Sequence, residues 1–274
     1  VLTLMAYVPE IKEREHAIHM YHAKGHVRFE NVSFGYAPNR MVLQEFDLDV
    51  EPGLKVALVG PSGSGKSTIA SLLMRFFDVT NGRILLDGED IRDLSLDSLR
   101  RNVGIVLQES FLFSGTIEEN IRYGKQETSF EEVVEAAKMA NAYEFIRELP
   151  LGFRTEVGEN GVSLSGGQKQ RISIARALIL DPEILILDDA LSAVDTDTEE
   201  KILENLKTLR HGKTNVIIAH RISTLQNADK IIVIDGSRII EEGNHEELVA
   251  QGGMYADLYR RQLLEKMKKE EYKL

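Results

Sequence analysis

Nine consecutive residues, Gly60-Pro61-Ser62-Gly63-Ser64-Gly65-Lys66-Ser67-Thr68, carry the most plainly written chemistry in this chain. They follow an apolar run, Lys55 to Val59, and lead into a helix-like run from Ile69 to Phe77. A strand, a loop of the form G-x-x-x-x-G-K-[ST] and a helix together make a phosphate-binding P-loop. Its glycines let consecutive N–H groups turn inward onto phosphate oxygens, and the helix start adds the positive end of its dipole. Lys66 is spaced to reach β- and γ-phosphates, and the Ser67 hydroxyl to hold Mg²⁺.

The elements around this loop alternate between strand and helix. Val27, Phe29, Val32 and Phe34 alternate with polar residues, as do Phe46, Leu48 and Val50, with a turn at Ala37-Pro38-Asn39-Arg40 between them. These predict antiparallel strands with one buried face. Val103 to Leu107, Ile184 to Leu187, Val216 to Ala219 and Ile231 to Ile234 are continuous apolar runs. Continuous apolarity suits strands of a parallel sheet buried on both faces. Asp235-Gly236-Ser237 makes a hairpin turn to Arg238-Ile239-Ile240. Residues 131–149 predict one helix, with Val133, Val134, Ala137, Ala140 and Phe145 near one face. Lys169 to Leu180 and Tyr255 to Leu274 predict two more, the last highly charged. The fold class is therefore α/β.

Composition narrows the function classes. The chain has 274 residues, 43% of them hydrophobic, so a sizeable core is available. Its formal charge of −11 argues against broad nucleic-acid binding, which favours a basic face. It has no cysteine, which excludes disulfides, thiolate metal sites and cysteine nucleophiles. No apolar run is long enough to span a bilayer, and the start has no signal-peptide pattern. Residues 1–25 read as a linker, with the mostly apolar Val1 to Tyr7 as the end of an upstream helix. Because the chain starts at Val1 rather than Met, it reads as a piece of something longer.

A second motif, Leu164-Ser165-Gly166-Gly167-Gln168, stands between the P-loop and the apolar strand that ends in Asp188. With it, residues 26–262 resemble the nucleotide-binding domain of ATP-binding cassette (ABC) transporters. The resemblance implies a P-loop NTPase, RecA-like core with an antiparallel β subdomain and an inserted helical subdomain at about residues 109–180. Residues 263–274 would form a charged tail. ATP and Mg²⁺ would bind Gly60, Ser62, Gly63, Ser64, Gly65, Lys66, Ser67 and Thr68, with Tyr36 stacked on adenine. Ser67, Gln108 and Asp188 would hold the metal. Gln108 would also touch the attacking water, and His220, ending a strand, would be the switch histidine on the γ-phosphate. Ser192-Ala193-Val194-Asp195 matches the D-loop. Ser165, Gly166, Gly167 and Gln168 would serve ATP on a second nucleotide-binding domain, met head to tail.

Thr155 to Gly161, with Ser114-Gly115-Thr116-Ile117 and Asn120-Ile121, resembles the exporter branch. There the ATPase domain is usually fused behind a membrane domain, on the cytoplasmic side of the cell membrane. The expected partners are that transmembrane domain, reached through the surface around Gln108 to Ser114, and the second ATPase domain. A DNA-repair ABC protein would carry a coiled coil or zinc cysteines, and a translation factor two cassettes. An importer ATPase is disfavoured by the 155–161 segment. A regulatory ATP-binding half without hydrolysis is the strongest rival.

One position departs from the family's pattern. After Asp188 the family places Glu, which polarises the attacking water; here Asp189 stands one methylene shorter. Displacement by about 1 Å can cost roughly 100-fold in rate, and general-base assistance is worth about 10²–10⁴-fold. Slow hydrolysis with intact ATP binding is expected at this chain's own P-loop. Three origins compete: a natural degenerate site in a heterodimeric exporter, an engineered substitution, or a working Asp in a homodimer.

Overall fold

The computed structural model describes residues 9–37, 39–158, 161–219 and 221–271. In chain order its strands and helices begin with β1 (Val27–Phe34), β2 (Leu43–Val50), β3 (Lys55–Val59), α1 (Lys66–Leu73), β4 (Asn81–Leu86) and β5 (Glu89–Asp90). They continue with α2 (Leu96–Asn102), β6 (Val103–Val106), β7 (Gly115–Thr116), α3 (Ile117–Arg122), α4 (Phe130–Met139), α5 (Tyr143–Glu148) and β8 (Glu156–Val157). The rest are α6 (Gly166–Leu178), β9 (Ile184–Asp188), α7 (Thr196–Leu209), β10 (Thr214–Ile218), α8 (Ile222–Leu225), β11 (Lys230–Asp235), β12 (Arg238–Gly243), α9 (His245–Gln251) and α10 (Met254–Glu271).

The continuous apolar runs build the central sheet, in the order β12-β11-β3-β10-β9-β6. Every neighbouring pair in it is parallel except β11 with β12, which the turn at Gly236 folds into an antiparallel edge. Successive residues of these strands feed different cores. Ile184 and Ile186 face one way with Val56, Leu58, Val216 and Ile218, toward the antiparallel sheet β2-β1-β4-β5. Leu185 and Leu187 face the other way, into a core shared with α3, α4, α6 and α7. A smaller core packs Ala57, Val59, Ile231 and Val233 against Leu248 and Tyr255. The two-residue repeat of a strand therefore places three groups of elements around one sheet.

Local rules decide where the helices start and stop. The helix expected over 131–149 is two helices, broken where Asn141 takes φ 51°. Asn tolerates that left-handed conformation and so suits a break. The helix after the P-loop begins at Lys66 and ends by Leu73, because Arg75 turns left-handed at φ 49°. Phe76 and Phe77 therefore lie beyond it. The helix after Leu164 starts at Gly166 rather than Lys169, and the strand from Val103 stops at Val106.

Residues 9–25, a linker by composition, are fastened along the domain. Ile18 bridges to Leu94, Arg75 donates to Lys12 O at 3.0 Å, and Asn102 bonds both Ala23 N and Met20 O. Val1 to Tyr7 and Pro38 lie outside the described residues, as does the last part of the expected C-terminal helix. Among the described residues no helix is long and apolar enough to cross a membrane.

Candidate active site

The P-loop sits at the carboxyl end of β3, where an open parallel sheet places its ligands. Gly60, Gly63 and Gly65 have φ of 153°, 80° and 104°. A Cβ at Gly60 would stand 2.0 Å from the Ile234 carbonyl oxygen, so the loop's first turn needs glycine. Gly65 opens α1 without a side-chain cap, and no acid stands in its first turn. α3, α4, α6 and α9 instead close on their own capping boxes. The first N–H groups of α1 thus remain for an anion.

Lys66 is 6% exposed, and its ammonium donates to Gly60 O at 2.9 Å and Pro61 O at 2.8 Å. Burial pulls its pKa down, while Asp189 and then Asp188 push it back up. This charged group is held by weak carbonyl acceptors beside two carboxylates, in the loop built for phosphate. Ser67 Oγ donates to Asp188 Oδ1 at 3.0 Å, across 121 positions of sequence. Hydroxyl and carboxylate oxygens are hard donors, which fit Mg²⁺.

Register explains that meeting. Asp188 lies opposite Ile218 of β10, and Leu187 opposite Val106 of β6. The ends of three strands therefore bring Asp188, the segment to Gln108 and the segment after Ala219 to one edge. Gln108 and Asp189 line the same cavity, of about 190 Å³, with Ser192, Glu199, Ala219, Arg221 and Thr224. Asp189 has φ 46°, a region in which Asp and Asn are enriched several-fold. His220, the expected switch residue, lies outside the described residues.

Tyr36 stands beside the loop, its hydroxyl 3.2 Å from Thr68 Oγ1. Its ring meets Phe34 and Phe77 edge-on, at 5.0 and 5.2 Å. It is 56% exposed, so a ring face is available. Phe77 is a member of this cluster that the sequence reading missed.

The second motif, the signature of the resemblance, starts α6, with Ser165 as its N-cap. Ser165 Oγ accepts from Gln168 N, and Gln168 Oε1 accepts from Ser165 N, at 3.2 and 2.9 Å. Ser165 and Gly166 are exposed. A Cβ on Gly167 would lie 2.8 Å from Ala193 O, so this glycine lets the D-loop approach.

Glu199, Arg221 and Gln170 are further residues the sequence reading missed. Glu199 is only 1% exposed. It shares the spacing of Ile202, Leu203 and Leu206 on the buried face of α7, and an acid on an apolar stripe was the available signal.

A second surface lies before α3. Phe111 and Phe113 stand edge-on at 5.2 Å, Phe113 stacks on Tyr123 at 4.2 Å, and Arg176 lies over Phe113. Phe111 is 67% exposed at the lip of a groove of about 720 Å³, which also meets Ser114, Val162 and Leu164.

Comparison with known proteins decides the family. A family model described as ABC transporter matches residues 43–192. The chain belongs to the ABC transporter family. It is an ABC cassette: an ATPase domain that binds ATP on the P-loop NTPase fold. Over 265 residues the cassette is 47% identical to the ATP-dependent lipid A-core flippase of Syntrophus aciditrophicus, covering 97% of this chain and 44% of that protein. Over 248 residues it is 51% identical to the putative multidrug export ATP-binding/permease protein YgaD of Bacillus subtilis, covering 90% of this chain and 43% of that protein. A solved bacterial Atm1-family ABC exporter with ATP bound superposes with a TM-score of 0.90 at 44% identity, over 95% of this chain and 46% of that one. The cassette thus spans less than half the length of these relatives.

Proposed function

We propose that this cassette powers substrate export across a membrane, by closing head to tail on a second ATPase domain when ATP binds. The observation that carries the reading is the meeting of Ser67 and Asp188 beside the buried Lys66. Phosphoryl transfer is mostly positioning and electrostatics, and these groups supply both. Gly60, Ser62, Gly63, Ser64, Gly65 and Thr68 cradle the phosphates with their backbone, and Lys66 neutralises the β- and γ-oxygens. Tyr36 stacks on adenine. Ser67, Asp188 and Gln108 would hold Mg²⁺, which would offset charge on the phosphates. Asp189 orients the attacking water, and His220 donates to the γ-phosphate. Ser165, Gly166, Gly167 and Gln168 donate to ATP held by the other domain. The aromatic groove at Phe111 and Phe113 receives helices of the transmembrane domain.

Asp189 makes this chain's own site slow. The reading favoured here is the degenerate half of a heterodimeric exporter, whose intact signature completes the faster site on the partner. A purely regulatory half is the second reading, and the shorter carboxylate is the observation that favours it. Sedimentation of the chain with ATP and Mg²⁺ tests the assembly step. The expected outcome is a monomer–dimer shift that ATP drives and ADP does not. A chain that binds ATP and stays monomeric beside an equimolar relative with Glu at the position of Asp189 contradicts the proposal.

A further inference from the structure

Ser192-Ala193-Val194 is irregular backbone, and two side chains from elsewhere hold it. Arg221 donates from one nitrogen to Ser192 O and from the other to Val194 O, both at 2.9 Å. Gln170, on the signature helix α6, accepts from Ala193 N at 2.9 Å and donates to Ser192 Oγ at 3.2 Å. The remaining amides turn back locally, Ser192 N to Asp189 O and Val194 N to Leu191 O, each 3.1 Å. Arg221 is itself anchored. It pairs with one oxygen of the buried Glu199, whose other oxygen accepts from Thr224. Gly167 and Ala193 approach closely behind this network.

We infer that Arg221 and Gln170 are positioning residues that clamp the D-loop between the signature helix and the strand end after β10. The clamp ties the signature, which faces the other domain's ATP, to the backbone of Asp189, which faces this chain's own. A shift of α6 on closure is thereby passed to the water-orienting carboxylate. The inference rests on the proposed roles of Asp189 and the signature. Its geometry requires a fork: two N–H groups for two carbonyls and a third contact for Glu199. Guanidinium supplies this, whereas an ammonium is a single point charge.

The test compares the full chain with Arg221→Lys, Gln170→Ala and Gln170→Glu. Arg221→Lys keeps a cation beside Glu199, which removal of all charge would leave buried and unpaired. Gln170→Glu keeps the acceptor for Ala193 N. Amide hydrogen exchange over 190–195 is read against β9, together with ATP affinity and turnover. Arg221→Lys and Gln170→Ala are expected to speed D-loop exchange by about tenfold and to lower kcat by at least about tenfold, with ATP affinity within about twofold. Gln170→Glu is expected to restore most of the loss, and β9 exchange to stay unchanged. Unchanged D-loop exchange overturns the clamp, as does faster exchange spread equally through β9. Faster D-loop exchange with kcat retained overturns its positioning role. A parent chain that binds ATP yet neither dimerises with nor supports hydrolysis by an equimolar relative carrying Glu at the position of Asp189 defeats the proposed function instead, while the exchange result still decides the clamp.

Discussion

The P-loop and the signature loop are both helix starts, yet they are finished in opposite ways. α1 begins uncapped, with a buried cation and two carboxylates at hand. α6 begins with its own capping box, at the surface, on a serine and two glycines. The first gathers charged groups around its loop. The second holds no charge for a phosphate, and in the proposed reading it serves a nucleotide held by another domain. One chain would thus carry parts of two sites.

The strongest way to break this contrast is at Lys66. Lys66→Ala is expected to lower ATP turnover by about 10²–10³-fold, read as phosphate release, since a preorganised charge on the phosphates is lost. Ser165→Asp attacks the other half. Aspartate still caps α6, so the fold is kept, but in the proposed dimer its charge would face the other domain's phosphates. ATP-driven dimerisation should weaken by at least about tenfold in sedimentation, with single-chain ATP affinity unchanged. Tyr36→Ala is expected to weaken ATP binding by about fivefold in calorimetry, because an aromatic contact is worth about 1 kcal/mol. The smallest effect sharpens the comparison. The Ser129–Glu132 box of α4 has the same build as the Ser165–Gln168 box. Alanine at either serine should cost about 1 kcal/mol in denaturant unfolding, and only Ser165→Ala should also affect dimerisation.

Much of this was legible in the sequence, for a physical reason. Strands buried on both faces must be apolar throughout, so Ile184 to Leu187 and Ile231 to Ile234 announce the central sheet. The P-loop is legible because one short segment holds all its parts. Cross-fold pairings that no motif carries were not. Nothing local links Arg221 to Glu199, or Gln170 to Ser192, until β9 and β10 lie side by side. The split of 131–149 turned on one residue, Asn141, whose left-handed backbone a periodic apolar face does not reveal. Residues 9–25 looked like a linker because their anchors are mostly backbone groups, which side-chain patterns do not record.

Asp189 is where the account is most exposed. Its left-handed backbone suits aspartate, so glutamate there gains reach at a small conformational cost. The most direct test is the Mg²⁺-dependent ATPase rate against protein concentration, for the parent chain and Asp189→Glu. A rise of about tenfold or more is expected with Glu, within the range of general-base assistance, on a curve that bends upward with concentration. Equal rates for two forms that both bind ATP would contradict it.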